Sequence, residues 1–193
     1  MRQTVVNRKT KETQITVELN LDNNTGYEIK TPNHFFTHML EQFAAHSGFG
    51  LKINAQTLDL DSHHLIEDTA IALGEAFLKT LGDKKGVKRY GQKFIPMDEA
   101  LSLCVIDLSG RAFSRVDATI SEEKISDFDT ILLPHFFTSF SQNAKLNVQI
   151  KTLYGEDGHH IVESIFKAFA HSMKEAVSIN PNSDEILSTK GIL

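Results

Sequence analysis

The residues of this chain that are best suited to chemistry are its histidines. The sequence holds nine histidines but one cysteine and no tryptophan. Four of the nine form adjacent pairs, and each pair is followed by a glutamate, in the segments His63-His64-Leu65-Ile66-Glu67 and His159-His160-Ile161-Val162-Glu163. Residues three and four apart share one face of a helix, so each glutamate lies beside both histidines of its pair. Imidazole together with carboxylate is a competent metal ligand set, and the pattern predicts metal binding.

The number of candidate ligands predicts two metal ions. Adjacent histidines diverge by about 100° around a helix axis, so we expect each metal to take one histidine of each pair. A further histidine precedes each pair, namely His38 and His135. An even division gives three nitrogens and one oxygen per metal and leaves positions open for substrate or water. Ligands without thiolate suit Mn, Fe, Ni or Zn. The predicted metal ligands are His38, His63, His64, Glu67, His135, His159, His160 and Glu163.

Other polar residues give weaker signals when they are read singly. Cys104 lies in an apolar run and is predicted to be a core residue. Arg89, Arg111 and Lys190 lie in turn-rich segments, where solvated charges are the simpler interpretation. Glu12 is interpreted in the same way, as a carboxylate on an edge strand.

The histidine pairs belong to an internal repeat. The two HHxxE segments are offset by 96 residues, and the apolar positions after them keep that offset at spacings typical of one helix face. Alternating segments at Leu51–Ile53 and Leu146–Ile150 predict strands. We expect a hairpin before each upstream histidine, from Ile15–Leu21 to Tyr27–Ile29 and from Leu101–Leu108 to Arg111–Ile120. Each half is therefore predicted to be a β-β-α-β-α unit.

This organisation predicts an α+β fold, namely a two-layer α/β sandwich made by tandem duplication. Residues 1–86 would form the first repeat. Residues 87–193 would form the second repeat and a C-terminal tail that binds substrate. Gly82–Gly86 would connect the two repeats.

Composition limits the class of protein. Of the 193 residues, 40% are apolar and 23% are charged, which is typical of a folded domain. The net charge of −5 gives no reason to expect a nucleic-acid partner. No apolar run approaches the roughly 18 residues of a membrane span, and Met1–Lys9 does not resemble a signal peptide. We therefore expect neither a nucleic-acid nor a membrane partner, and a cytoplasmic location.

Six segments resemble imidazoleglycerol-phosphate dehydratase, and they follow one another in order along essentially the whole chain. They are Phe35–Gln42, Asp61–Thr69, Pro96–Ala100, Asp107–Arg111, Tyr154–His160 and Ser188–Gly191. Several of these motifs are long and unusual, so the resemblance is specific. We expect the single-function form of the family, because no phosphatase segment precedes the match.

The resemblance implies a hydro-lyase of histidine biosynthesis. Such an enzyme dehydrates D-erythro-imidazole-glycerol phosphate to imidazole-acetol phosphate, through an imidazolate held by two Mn²⁺ ions. It also implies a fold like the second domain of ribosomal protein S5 and a 24-subunit homo-oligomer with active sites at subunit interfaces. Two alternatives remain open, namely a di-metal hydrolase and a non-catalytic assembly stapled by metal.

The resemblance also implies roles for individual residues. The eight predicted metal ligands coincide with those of the family. Glu12 would perform acid/base catalysis, and Arg89, Arg111, Ser188 and Lys190 would hold the substrate, chiefly its phosphate. The residues implied to contact the substrate are Glu12, His38, His46, His63, Glu67, Arg89, Arg111, His159, Ser188 and Lys190.

Overall fold

The computed structural model describes residues 1–59 and 61–193. The first half contains the elements β1 Gln3–Lys9, β2 Thr13–Asn20, β3 Tyr27–Lys30, α1 His34–Ser47, β4 Gly50–Thr57 and α2 Ser62–Leu81. The second half contains β5 Tyr90–Met97, β6 Ala100–Asp107, β7 Phe113–Asp117, the short strands β8 Lys124–Ile125 and β9 Phe128–Asp129, then α3 Leu132–Ala144, β10 Asn147–Tyr154 and α4 Gly158–Val177. The two halves repeat the same element order, apart from the β8–β9 insertion.

Each half forms a four-stranded sheet, in the orders β1-β2-β4-β3 and β5-β6-β10-β7. Within these two sheets, the consecutive strands that form antiparallel hairpins are β1–β2 and β5–β6. The predicted β2–β3 and β6–β7 hairpins were wrong, because β4 and β10 insert between those strands and pair with β3 and β7 in parallel. The repeat unit is therefore β-β-β-α-β-α, with one strand more than the sequence pattern predicted.

The helices lie between the two sheets and hold the halves together. Helix α2 packs against the first sheet and also against α3, while α4 packs against the second sheet and also against α1. Aromatic rings join the halves in a single hydrophobic core, with ring centroids 4.8 Å apart for Phe43–Phe169 and 5.6 Å apart for Phe77–Phe140. Each half is two-layered, as predicted, and the duplicated α+β class is confirmed.

Equivalent caps begin the two long helices. Asp61 accepts a hydrogen bond from the backbone N–H of His63 at 2.8 Å, and Asp157 accepts one from that of His159 at 2.7 Å. A carboxylate at this position satisfies backbone N–H groups that have no partner inside the helix. Both histidine pairs therefore lie in the first turn of a helix. Pro134 lies in the first turn of α3, where the N–H that proline lacks has no intrahelical role.

The segment after α4 turns back to the link between the halves. Asn180 N–H donates to Gly86 O at 2.7 Å, and Gly86 N–H donates to Glu185 O at 3.1 Å. The predicted boundary after residue 86 thus lies between α2 and β5, where the tail contacts the link. Within the two described ranges, none of the helices has the length and apolar character needed to cross a membrane.

Candidate active site

One candidate metal site joins α1 of the first half to α4 of the second. It consists of His38, His159 and Glu163, and we call it the Glu163 site. Glu163 Oε2 lies 3.2 Å from His159 Nε2 and 3.4 Å from His38 Nε2. Burial raises the pKa of Glu163, but Lys167 and His38 outweigh this effect and leave that pKa below its usual value. The site therefore presents an ionised carboxylate and two imidazoles around one point.

The second candidate site mirrors the first and joins α2 to α3. It consists of His63, Glu67 and His135, and we call it the Glu67 site. The rings of His63 and His135 stack with centroids 4.5 Å apart, and His135 Nε2 lies 3.5 Å from Glu67 Oε1. That nitrogen is buried without a hydrogen-bond partner. A buried polar atom usually has one, so this atom fits a metal ligand.

A single chain supplies two histidines and one glutamate to each site. Each metal was predicted to take one histidine from each pair, but within the described residues of one chain each group contains a histidine of one pair only. The rings of His63 and His64 stand at 90° to each other, so that only His63 faces the Glu67 site. His159 and His160 diverge in the same way, at 73°.

Carboxylates hold the outward-facing histidines of the two pairs. His64 Nδ1 lies 2.6 Å from Asp59 Oδ2, and His160 Nδ1 lies 2.6 Å from Glu99 Oε2. These hydrogen bonds raise the pKa of both histidines. Hydrogen bonds from the backbone N–H of Asp157 and from His160 lower the pKa of Glu99 to about 2. A carboxylate that accepts the Nδ1 proton leaves Nε2 as the atom that could bind a metal, and histidine ligands of metals usually have such a partner.

Glu12 lies beside His64. It is part of the turn between β1 and β2, so its predicted position on an edge strand was wrong. The reason is that β1 and β2 pair through Lys9 and Gln14, which leaves the residues between them in the turn. Glu12 Oε1 is 3.8 Å from His64 Nε2.

The second half carries a carboxylate in the equivalent place. Asp98, in the turn between β5 and β6, has Oδ2 at 3.8 Å from His160 Nε2. Asp59, Asp98 and Glu99 were not among the site residues predicted from sequence. The repeat contained a signal for Asp98 and Glu99, because the β5–β6 turn is the counterpart of the turn that carries Glu12.

The four basic and hydroxyl residues implied to hold the phosphate meet in one pocket. Arg89, Arg111, Ser188 and Lys190 line this cavity of about 510 Å³, which we call the anion pocket. Arg89 donates to Asp107 at 2.8 Å and to the carbonyl of Leu187 at 2.6 Å, so it ties the tail to the second sheet. The hydrogen bond to Asp107 raises the pKa of Arg89. The pocket thus carries fixed positive charge.

His46 lies apart from both metal sites and from the anion pocket. It is part of the last turn of α1, and its ring centroid is 5.3 Å from that of His171 on α4. Burial, together with His171 and Lys167, lowers the pKa of His46. The ring is therefore a neutral hydrogen-bonding group near pH 7.

Residues 31–173 match the family model of imidazoleglycerol-phosphate dehydratase. The chain belongs to this family. The curated relative from Lacticaseibacillus casei (strain BL23) is 47% identical over 194 aligned residues, which span 100% of both chains. That from Chloroherpeton thalassium (strain ATCC 35110 / GB-78) is 47% identical over 97% of this chain and 96% of its own length. Both relatives are named imidazoleglycerol-phosphate dehydratase.

Solved structures of the family have the same fold. The crystal structure of the dehydratase from Staphylococcus aureus subsp. aureus N315 aligns with a TM-score of 0.82 and 35% identity, over 92% of this chain and 100% of that one. The structure of the enzyme from Pyrococcus furiosus in complex with (S)-C348 aligns with a TM-score of 0.86 and 36% identity, over 97% and 99%. As a family member, this chain is a hydro-lyase that dehydrates imidazoleglycerol phosphate in histidine biosynthesis.

Proposed function

We propose that this dehydratase uses two Mn²⁺ ions per active site to convert D-erythro-imidazole-glycerol phosphate to imidazole-acetol phosphate. The observation that carries the proposal is the coexistence of two His/Glu sites with a separate anion pocket. An imidazole ring has two nitrogens that can bind metal, and the phosphate needs cationic and hydroxyl groups. The proposed metal ligands are His38, His63, His64, Glu67, His135, His159, His160 and Glu163.

The donor atoms suit manganese. Each site offers imidazole nitrogens and a carboxylate oxygen, and the lone cysteine is buried in the core. Such mixed nitrogen and oxygen ligands accept Mn²⁺ among the divalent first-row metals. The unpartnered Nε2 of His135 supports the presence of an ion at the Glu67 site.

The metal sites and the anion pocket of one chain lie at opposite ends of α4. His159 is in the first turn of this helix, whereas Arg89 N–H donates to Ala176 O near its last turn. At 1.5 Å per residue, these positions are about 25 Å apart along the axis.

Helix α2 separates the Glu67 site from the pocket in the same way. His63 lies in its first turn. Lys84, just beyond its end, donates to Leu108 O, and Leu108 N–H donates to Arg89 O. Only a short glycerol chain joins the imidazole of the substrate to its phosphate. We therefore infer that one active site combines a metal site from one subunit with the anion pocket of another.

The outward histidines provide a second reason for sharing. His64 and His160 have their Nδ1 atoms held by carboxylates, so their Nε2 atoms can ligate a metal outside their own cluster. We propose that each completes a metal site of a neighbouring subunit, which would give every metal three nitrogens and one oxygen. Repetition of this exchange supports a closed homo-oligomer, for which we propose 24 subunits.

The proposed chemistry divides between the two ends of the substrate. Arg89, Arg111, Ser188 and Lys190 would hold the phosphate by charge-assisted hydrogen bonds. When bound, the metal ions would favour the anionic form of the imidazole, the electron sink that loss of the neighbouring hydroxyl requires. The exposed carboxylate of Glu12, with Asp98 as a second candidate, would take the proton from the adjacent side-chain carbon. The resulting enol then becomes the ketone.

A dehydration assay on protein of known metal content tests the proposal. Protein reloaded with Mn²⁺ should form imidazole-acetol phosphate, and the same preparation treated with chelator should not. Failure of the manganese-loaded protein to form product would refute the proposed metal chemistry. Cleavage of a model ester would instead favour a di-metal hydrolase. No reaction with either the ester or imidazole-glycerol phosphate would favour a non-catalytic assembly held together by metal ions. We also infer a cytoplasmic location, because the reaction is a step of amino-acid biosynthesis.

A further inference from the structure

The two metal sites are copies in sequence, but they differ one helical turn beyond the glutamate. Lys167 follows Glu163 by four residues, and the equivalent residue after Glu67 is Ile71. Lys167 Nζ lies 2.7 Å from Glu163 Oε1, and the two side chains are only 16% and 7% exposed. The repeat therefore places a partly buried cation against one metal site and an apolar side chain at the same position beside the other.

The two carboxylate oxygens of Glu163 have different partners, because Lys167 binds one of them. Oε1 accepts the ammonium, while Oε2 faces His159 and His38 and is the atom available to a metal. In the Glu67 site, Oε1 of the glutamate lies 3.5 Å from His135 Nε2, and the Glu67 side chain is 36% exposed. The carboxylate of the Glu163 site thus shares its charge with a neighbouring cation.

A fixed positive charge near a ligand opposes the binding of a divalent cation. The repulsion acts through a partly buried region, where charges are screened less than in water. Groups beside the ligands typically change metal affinity by about 10–100-fold. This effect is confined to the half of the chain that carries Lys167.

We propose that the two metal sites are unequal, and that Lys167 makes the Glu163 site bind Mn²⁺ about tenfold more weakly than the Glu67 site. This inference rests on the proposed manganese function and extends it, because identical ligand types alone predict equal affinities. Manganese would therefore leave the two sites in a defined order, with the Glu163 site emptying before the Glu67 site.

Equilibrium dialysis of the chelator-stripped protein against buffered Mn²⁺ measures the inequality directly. Bound manganese per chain should rise in two steps about tenfold apart in free metal concentration. Lys167→Ile, which copies the other repeat, should tighten the weaker step and bring the two together. The reciprocal Ile71→Lys should weaken the tighter step. Ile71 is only partly buried, so a lysine fits there and can reach Glu67 one turn earlier, as Lys167 reaches Glu163.

Two further variants isolate the effect of the charge. Lys79→Ile removes a lysine of α2 that is 56% exposed and pairs with Glu75, and it should leave both steps unchanged. Lys167→Gln keeps a hydrogen-bond donor without the charge, and it should tighten the weaker step as Lys167→Ile does.

Three results would overturn the inference while leaving the manganese function intact. They are a single step in the parent protein, weaker binding in Lys167→Ile, and an unaltered tight step in a folded Ile71→Lys protein. Weaker binding would mean that Lys167 orients Glu163 for the metal. Should Lys167→Ile not fold, Ile71→Lys and Lys167→Gln still decide the question. A complete lack of manganese binding would instead contradict the proposed function itself.

Discussion

Complementation between inactive variants tests whether the active site spans two subunits. One variant removes phosphate-binding groups through the double change Arg111→Ala and Lys190→Ala, and both of these side chains are exposed. The other is Glu67→Gln, which keeps the shape of a proposed metal ligand but not its charge. The variants change opposite ends of α2, because Glu67 lies about 21 Å along the axis from Leu81, at 1.5 Å per residue, and the anion pocket lies beyond that end. One small substrate therefore cannot contact both sites within a single chain.

The expected activities follow from the contacts that are lost. Each hydrogen bond to a charged group contributes about 1.5–3 kcal/mol, so the double pocket variant should lose about 10²–10⁴-fold in kcat/KM. Loss of a proposed metal ligand should have an effect at least as large. In assemblies that mix the two variants equally, about a quarter of the sites should combine an intact pocket from one subunit with an intact Glu67 site from another. Activity should then recover to about a quarter of the parent value.

The assay is co-expression of the two variants with different affinity tags, followed by tandem purification and measurement of product formation per site. Co-assembly of parent subunits with the pocket variant is the matched control and should keep about half of the activity. Activity of the mixed assemblies no higher than the mean of the two single variants would refute the argument. It would mean that one chain supplies both parts of its own site.

Three other predictions concern catalysis, the pH dependence of metal binding and packing. Glu12→Gln should lower turnover by about 10²-fold or more without loss of bound manganese. Glu18→Gln, an exposed control on β2, should change neither turnover nor bound manganese. Normal turnover in Glu12→Gln would contradict the role of Glu12. Hydrogen bonds to Asp59 and Glu99 raise the pKa of His64 and His160, so protons should compete with manganese for these rings and bound manganese should decrease as the pH falls; dialysis that finds manganese fully retained at pH 5 would disagree. Gly74→Ala should destabilise the fold by about 1–3 kcal/mol in chemical unfolding, despite the better helix propensity of alanine. Its Cβ would lie 2.6 Å from Phe140 O, and an unchanged unfolding free energy would refute this overpacking.

Much of the candidate site could be predicted from sequence because short sequence patterns reveal the repeat. The HHxxE spacing predicts a helix that begins near the histidines, and α2 and α4 begin at Ser62 and Gly158. The carboxylates Asp61 and Asp157 that cap them are adjacent in sequence to the residues they position. Such features depend on contacts within a few residues, which a single sequence displays directly.

Strand pairing could not be predicted in the same way. The Asn23–Gly26 turn is a good hairpin signal, yet the strands on either side of it are separated by β4. Leu19 of β2 and Tyr27 of β3 both pair with Leu51 of β4, which lies between them. A local turn pattern carries no information about a strand that enters the sheet later in the chain.

The sequence by itself determined which residues are candidate metal ligands, their duplication and the helices that carry them, because periodicity and capping act over a few residues. Only the tertiary structure decided that each candidate metal site combines residues of both halves, since α1 packs on α4 and α2 packs on α3. It also decided that one histidine of each pair turns away from its site to a carboxylate. The separation of the metal sites from the anion pocket depends likewise on how whole helices lie in the fold. These are long-range contacts, which depend on the packing of the complete core.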